Sequence, residues 1–152
     1  MQALRRFLKG FVVGLALFVG FVAVMQLVPY GRAHTNPPVV QEPAWDSPRT
    51  RELAVRACFD CHSNETKWPW YAHVAPFSWV MQRHVTIGRS VMNFSDWTRP
   101  YDLASQAGSE VIRREMPPRG YRLLHGHADL TDDEKVELAR GLHATLGLPW
   151  RE

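Results

Sequence analysis

The most regular hydrophobic pattern in the chain is an almost unbroken apolar run near its N-terminus. Of the 18 residues from 11 to 28, 15 are apolar. An α-helix rises 1.5 Å per residue, so this run extends about 27 Å, close to the thickness of one hydrocarbon core. The pattern predicts a transmembrane helix within residues 1–28, which we treat as a membrane anchor.

A cleaved signal peptide is the alternative interpretation of this run. The apolar region of a signal peptide is usually about 7–15 residues long and ends at a small-x-small cleavage site. The run here is longer, and it ends in Met-Gln-Leu-Val over residues 25–28 with no Ala-x-Ala nearby. Three cationic residues precede it and only Arg32 follows closely, which predicts an N-terminus inside the cell and the rest of the chain outside.

The chain after the apolar run reads as a spacer followed by one domain. Residues 29–48 contain five prolines and no hydrophobic period. Such a composition is typical of an extended, semi-rigid linker. We therefore predict a Pro-rich linker over residues 29–46 and a single domain over residues 47–152.

The first and last helices of this domain have the clearest start signals. A capping side chain at Asp46 or Ser47, followed by Pro48 as the first helical residue, predicts a helix over residues 48–58. Thr131 with Glu134 three residues later is a capping box, which predicts the start of the last helix.

Two further helices are predicted between them. One covers residues 77–87 and ends at Gly88; the other covers residues 102–115 and ends before Pro117. No stretch alternates convincingly between apolar and polar residues, as a half-buried strand would. The predicted fold class is mainly α.

The excess of basic residues lies beside the apolar run and does not change the predicted architecture. The formal net charge is +3, divided as +3 in residues 1–28, −1 in residues 29–46 and +1 in residues 47–152. The excess is a topology signal beside the apolar run, so no nucleic-acid partner is predicted. The nearly neutral domain of 106 residues has long loops and a thin core, which chains of this size often supplement with a cofactor or metal.

Both cysteines of the chain lie in one C-x-x-C-H sequence, formed by Cys58, Cys61 and His62. This is the attachment pattern of c-type haem. Two thiols at this spacing can each add to one haem vinyl group, and the adjacent imidazole is then held under the iron as its proximal ligand. The sequence therefore predicts one covalently bound haem c, attached outside the cytoplasm.

Three other interpretations of the motif are weaker. A redox-active dithiol is expected in a βαβ context that the chain lacks. A zinc site would need a fourth ligand, and no second paired motif is present. A structural disulfide would leave His62 without a role.

The sequence offers more than one candidate for the second axial ligand of the iron. Met116 leads, because it precedes two prolines that would stiffen its loop and lies 54 residues after His62, far enough to reach the other haem face. An open coordination site is also an alternative. One of the histidines His84, His125 and His127 is a candidate of lower rank, since a lone histidine is more often solvated or hydrogen-bonded. Met81 and Met92 are more often core fillers, and Met25 lies in the apolar run.

Three arginines are candidate partners for the haem propionates. They are Arg89, Arg119 and Arg122. Ordinary surface positions are the favoured interpretation for all three.

Longer motifs around these residues resemble the bacterial haem-binding domain family, a small cytochrome c-like group. The resemblance covers roughly residues 45–150 and is most specific in Cys-Phe-Asp-Cys-His-Ser-Asn-Glu-Thr-Lys-Trp-Pro-Trp-Tyr, residues 58–71. The remaining matching positions are Ala75-Pro76-Phe77-Ser78-Trp79, His84-Val85, Gly88-Arg89, Asn93-Phe94-Ser95-Asp96-Trp97, Met116-Pro117-Pro118, Tyr121, His125 and Leu130.

This resemblance implies a cytochrome c-like helical haem domain behind a single N-terminal transmembrane helix. It implies Cys58, Cys61 and His62 as haem residues and Met116 as the distal iron ligand. It further implies a single-pass protein of the bacterial inner membrane, with its C-terminal domain in the periplasm.

The function expected on these grounds is that of a membrane-anchored monohaem c-type cytochrome. It would transfer single electrons between redox partner proteins in the periplasm or inner membrane, and it would not be an enzyme by itself. The alternative is a haem-based sensor in which the sixth ligand is displaced by a small molecule. A peroxidase-like activity is a weaker third reading, because no second haem motif or catalytic distal pocket is evident.

Overall fold

The protein is mainly helical in the computed structural model, which describes residues 2–150. About 60% of the chain is helical, and the described residues contain no β-strand, only an isolated bridge between Gln41 and Asp96. The prediction of a mainly α fold is confirmed. The α-helices are α1 (Gln2–Met25), α2 (Pro48–Ala57), α3 (Phe59–His62), α4 (Phe77–Val91), α5 (Ala107–Ile112), α6 (Arg119–Leu124) and α7 (Asp132–Thr145), with 3₁₀ turns at Trp70–His73, Ala104–Gln106 and Gly126–Ala128.

The chain divides into two units. The first unit contains the residues up to His34 together with Pro69–Arg83; the second contains Thr35–Trp68 and the chain from His84 onwards. Helix α4 is divided between them. The predicted domain boundaries at residues 28 and 46 stay predictions.

Helix α1 dominates the first unit. Its 24 residues are long and apolar enough to cross a membrane, and its side chains are exposed almost throughout. After it the chain is fastened to the loop before α4, because the side-chain amide of Gln26 donates to the Ala75 carbonyl and accepts from the Ala75 N–H, both at 3.0 Å. The end of the apolar helix is thereby fixed against residues 69–83.

The second unit is built around the contact of α2 and α5 with α7. Gly141 of α7 lies against the Thr50 side chain of α2, where a Cβ would collide with that side chain. The missing side chain lets the two helices approach closely, and Leu53 and Leu138 are buried beside them. An aromatic group extends this core, with Phe59 and Phe94 stacked at a centroid distance of 5.6 Å.

The predicted starts of the first and last helices of the domain are confirmed. Ser47 caps α2, where its Oγ accepts a hydrogen bond of 3.1 Å from the Thr50 N–H, and the helix ends one residue before Cys58. Thr131 and Glu134 form the expected capping box at the start of α7. In both places the capping side chain and the amide that it binds are three residues apart, so the sequence alone indicates the helix start.

The predicted bounds of the two middle helices are wrong. Helix α4 continues past Gly88 to Val91, since Gly88 serves a close helix contact described below. The helix predicted over residues 102–115 is limited to Ala107–Ile112, preceded by a 3₁₀ turn. It ends because Arg114 adopts a left-handed conformation with φ of 61°, which no α-helix accommodates. Helix α6 lies where a loop was expected.

An ion pair between α2 and α7 predicts that the stability of the fold decreases at acidic pH. Arg56 donates to Glu134 at 2.5 Å, and this pairing, with the capping hydrogen bond from Thr131, lowers the Glu134 pKa from 4.5 to about 2. The charged carboxylate thus stabilises the fold above pH 4.5, and the contribution is lost as the pH falls towards 2. We expect Glu134→Gln, which keeps a capping acceptor, to lower the free energy of unfolding by about 1 kcal/mol at pH 7.

Urea unfolding of the full chain in mild detergent, followed by circular dichroism, measures this difference. It should shrink between pH 4.5 and 2, where the wild-type carboxyl becomes protonated. Glu137→Gln is the matched control, because Glu137 is an exposed residue of the same helix with a weaker pair to Arg49 at 3.2 Å. Equal losses in the two variants would contradict the prediction.

Candidate functional site

All four predicted site residues line one cavity of the second unit. The cavity has a volume of about 540 Å³, within the range typical of cofactor pockets. Its walls come from the C-x-x-C-H segment, the second half of α4, and the stretch from the Ala104–Gln106 turn to α6. The lining residues used below are Cys58, Asp60, Cys61, His62, His84, Ile87, Gly88, Val91, Met92, Leu103, Glu110, Met116 and Tyr121.

The C-x-x-C-H segment is held in a tight turn after α2. The amides of Cys61 and His62 both donate to the Cys58 carbonyl, at 3.1 and 2.9 Å. The His62 carbonyl accepts the Phe94 N–H at 2.7 Å. These backbone bonds fix the two thiols and the imidazole on the cavity side of the turn.

The His62 ring is oriented for metal binding through its Nε2 atom. Its Nδ1 lies 3.0 Å from the Met92 carbonyl oxygen, to which it donates, so the proton is held on Nδ1 and the Nε2 lone pair is free to bind a metal. Burial lowers the pKa of His62, against the opposing effect of its backbone hydrogen bonds. The ring is therefore neutral at pH 7, as an iron ligand must be.

The two cysteines form no disulfide and lie in a buried setting. Burial raises the pKa of Cys58 to about 12, and burial together with the negative charge of Asp60 raises that of Cys61 to about 11. Redox-active dithiols have the opposite property, a lowered thiol pKa. The surroundings of Cys58 and Cys61 are thus unlike those of a disulfide oxidoreductase.

Met116 reaches the cavity through a turn after α5. The amides of Glu115 and Met116 both donate to the Glu110 carbonyl, at 3.0 and 3.2 Å, and the left-handed Arg114 reverses the chain between them. Pro117 behind Met116 is buried. The thioether is presented by a short turn and keeps 41% of its surface exposed.

The apolar lining fits a large, flat, apolar ligand such as haem. One face of α4 supplies His84, Ile87, Gly88 and Val91 at the spacing of successive helical turns. Ile87 is 46% exposed and Leu103 is 48% exposed, although both face the cavity. An apolar cofactor would cover this surface, and the cavity lining offers it the imidazoles of His62 and His84 and the thioether of Met116.

Gly88 is required where α4 passes the C-x-x-C-H turn. A Cβ at this position would lie 2.9 Å from the Cys61 carbonyl carbon and nearer still to its oxygen. Helix α4 thus runs directly along the backbone that carries the haem motif. The sequence shows a glycine at this position, but a glycine is also typical of a helix end, which is the role predicted for Gly88 above.

Replacing this glycine is expected to loosen the motif. Gly88→Ala should lower the free energy of unfolding by about 1–3 kcal/mol, the usual cost of overpacking, and reduce the fraction of purified chain that carries haem. Gly120→Ala is the matched control in helix α6, where nothing lies within 4 Å of the added Cβ, so helix propensity predicts no loss. Urea unfolding and the Soret-to-protein absorbance ratio measure both effects, and equal behaviour of the two variants would refute the close contact.

Asp60 and Tyr121 form a further contact that sequence reasoning missed. One Asp60 carboxylate oxygen accepts the Lys67 N–H at 2.9 Å, and the other accepts the hydroxyl of Tyr121, so the motif is joined to α6 beside the cavity. The available signals were an acidic residue between the two cysteines and Tyr121 in the family resemblance.

The lower-ranked histidines fall in different places. His84 lines the cavity and stays an alternative to Met116 as the second ligand. His125 Nδ1 is 2.9 Å from the Tyr121 carbonyl oxygen. His127 Nε2 is 4.0 Å from an Asp60 carboxylate oxygen.

Two of the three arginines considered for the haem propionates, Arg89 and Arg122, make contacts within the protein instead. Arg89 donates to the carbonyls of Ser63 and Thr35 at 2.8 and 2.9 Å, so it clasps the chain on both sides. Arg122 pairs with Asp129 at 3.1 Å. Neither contact supports a propionate role.

Comparison with known proteins gives a match to one family model and none to an individual protein. No curated protein and no solved structure matches the chain. Among residues 2–150, no three His, Cys, Asp or Glu side chains are grouped to hold a metal ion by themselves. The haem-binding domain family matches residues 20–144, which include the C-x-x-C-H motif and Met116, and the chain therefore belongs to this family.

Proposed function

We propose that this protein is a membrane-anchored, periplasmic c-type cytochrome that holds one covalent haem and transfers single electrons. The observation that carries the proposal is the convergence of both thiols, the oriented His62 imidazole and the Met116 thioether on one apolar cavity. The haem supplies the reversible one-electron couple when it is bound.

The two cysteines attach the cofactor without a change of oxidation state in the protein. Each thiol would add across one vinyl group, with the sulfur bonded to one vinyl carbon and the thiol hydrogen to the other. Such an addition would need no oxidant and no leaving group. The tight turn from Cys58 to His62 places both cysteines and the imidazole that would bind the iron on one cavity wall.

His62 and Met116 would be the two protein ligands of the iron, since both line the cavity. With both ligands supplied by the protein, no coordination position would be left for a substrate, and the chain would serve as a carrier rather than as an enzyme. The partners are redox proteins of the periplasm or inner membrane. Helix α1 keeps the carrier at the membrane, oriented by the cationic residues that precede the apolar run.

A haem-based sensor is the second candidate, and one observation favours it. Met116 sits on a short turn outside any helix, so a small molecule would meet little resistance in displacing it. The two functions differ in whether the sixth ligand leaves.

A redox titration of the full chain in detergent, recorded by absorption and repeated under carbon monoxide, separates them. The carrier predicts a reversible one-electron titration and a reduced spectrum that carbon monoxide leaves unchanged. Rapid formation of a carbon monoxide adduct would favour the sensor. Irreversible reduction, or a purified protein without a haem spectrum, would overturn both.

A further inference from the structure

The loop and helix start between Pro69 and Arg83 expose an unusual amount of aromatic and aliphatic surface. Trp70 is 79% exposed and Phe77 is 54% exposed, and both pack edge-on against Tyr71, at centroid distances of 5.8 and 6.1 Å. Val74 and Val80 are exposed in the same segment. We call residues 69–83 the aromatic segment.

The aromatic segment is fastened to the end of the apolar helix. Gln26 forms paired hydrogen bonds of 3.0 Å with the backbone of Ala75. Gly31, with a left-handed φ of 78°, lies against the Ser78 carbonyl so closely that a Cβ would collide with it. Two separate contacts therefore hold the segment within a few residues of the end of α1.

This attachment sets the depth of the segment relative to a bilayer. The headgroup region adds about 5–7 Å on each side of a hydrocarbon core of about 30 Å. Gln26 lies in the last turns of the apolar run, so a backbone hydrogen-bonded to its side chain lies within that layer when α1 spans the membrane. Tryptophan and tyrosine are enriched at this depth, where an apolar ring meets polar headgroups.

The charges of the first unit complement an anionic surface. Its residues, 1–34 and 69–83, include no aspartate or glutamate, and all 15 acidic residues of the chain lie elsewhere. On the exit side of α1 the unit carries Arg32 and Arg83, both exposed. Cationic residues beside a span are attracted to anionic phospholipids.

We propose that the aromatic segment is a membrane-docking surface, which inserts Trp70 and Phe77 into the headgroup layer of an anionic bilayer beside α1. This inference rests on the proposal that α1 spans the membrane. A second copy of the chain is a poorer occupant, because the same cationic surface would face itself.

Photo-crosslinking of the full chain in vesicles tests the proposal. The vesicles contain phosphatidylglycerol that bears a diazirine close to its headgroup, and the adducts are mapped by mass spectrometry. We expect adducts within residues 70–80 as well as at the ends of α1. We also expect the yield at residues 70–80 to fall about fivefold when the vesicles are made of phosphatidylcholine that bears the same diazirine.

Two paired variants make the result specific. Trp70→Ala/Phe77→Ala should lower the adduct yield at residues 70–80 about fivefold and leave the yield at α1 unchanged. Leu123→Ala/Leu124→Ala is the control, because it removes equally exposed apolar side chains from α6 in the other unit, and it should change neither yield.

The adverse results distinguish a failure of the docking proposal from a failure of the membrane anchor. Adducts at α1 with none at residues 70–80 would overturn the docking surface and leave the anchor intact. Loss of adducts at α1 as well would overturn the anchor itself. Protein–protein crosslinks between aromatic segments in place of lipid adducts would assign the surface to a second copy.

Discussion

Replacing both Cys58 and Cys61 with alanine is expected to abolish covalent haem attachment. Thioether bonds would be the only covalent links to haem that these residues offer, and a covalently held haem survives unfolding while one held only through its iron does not. The wild-type chain should therefore give a haem stain after denaturing electrophoresis, and the double variant should give none. This is a complete loss of signal.

The single variants serve as internal controls. Cys58→Ala and Cys61→Ala each keep one thiol, so each should retain some haem through denaturation with an altered haemochrome spectrum. An immunoblot of the same gel separates loss of haem from loss of the chain. A haem stain of wild-type strength in the double variant would overturn covalent attachment.

Thiol titration of the denatured wild-type protein tests the alternative interpretations of the motif at the same time. A haem attached through both sulfurs leaves no titratable thiol. A reduced dithiol or a displaced zinc site would release two, and a disulfide would release two only after reduction. Burial raises the pKa of the two thiols to about 12 and 11, which is opposite to the lowered thiol pKa of a reactive dithiol.

The fold could be predicted from the sequence where all the residues that determine a helix start lie within one turn of the chain. The cap at Ser47 and the capping box of Thr131 with Glu134 were read from the sequence, because the side chain and the amide it satisfies are three residues apart. The predicted end of α4 at Gly88 is wrong because the role of this glycine depends on its contact with Cys61, which is remote in the sequence. A helical glycine facing Cys61 and a glycine that ends a helix look the same in a sequence.

The candidate site shows the same division. The C-x-x-C-H motif is contiguous, so Cys58, Cys61 and His62 could be named from spacing alone. The acceptor that orients His62 is a backbone carbonyl 30 residues away, at Met92, and a carbonyl has no sequence signature. The partner of Asp60 is likewise 61 residues away, at Tyr121.

Replacing Met116 with alanine is expected to remove the sixth ligand. A methionine sulfur bound to ferric haem gives a weak absorption band at about 695 nm and raises the reduction potential. Met116→Ala should therefore lose this band, lower the potential by about 0.1 V or more, and let carbon monoxide bind the reduced protein. Absorption spectra and a redox titration of the full chain measure all three.

Two further variants decide whether Met116 or His84 is the ligand, since both line the cavity. Met81→Leu is the control for a methionine change, because Met81 is buried in the first unit and its replacement conserves volume. It should keep the band and the potential. If His84→Ala instead shifts the potential and admits carbon monoxide while Met116→Ala leaves both unchanged, the second ligand is the imidazole of α4. The iron then has two histidine ligands, and the exposed thioether on the turn after α5 belongs to the rim of the site.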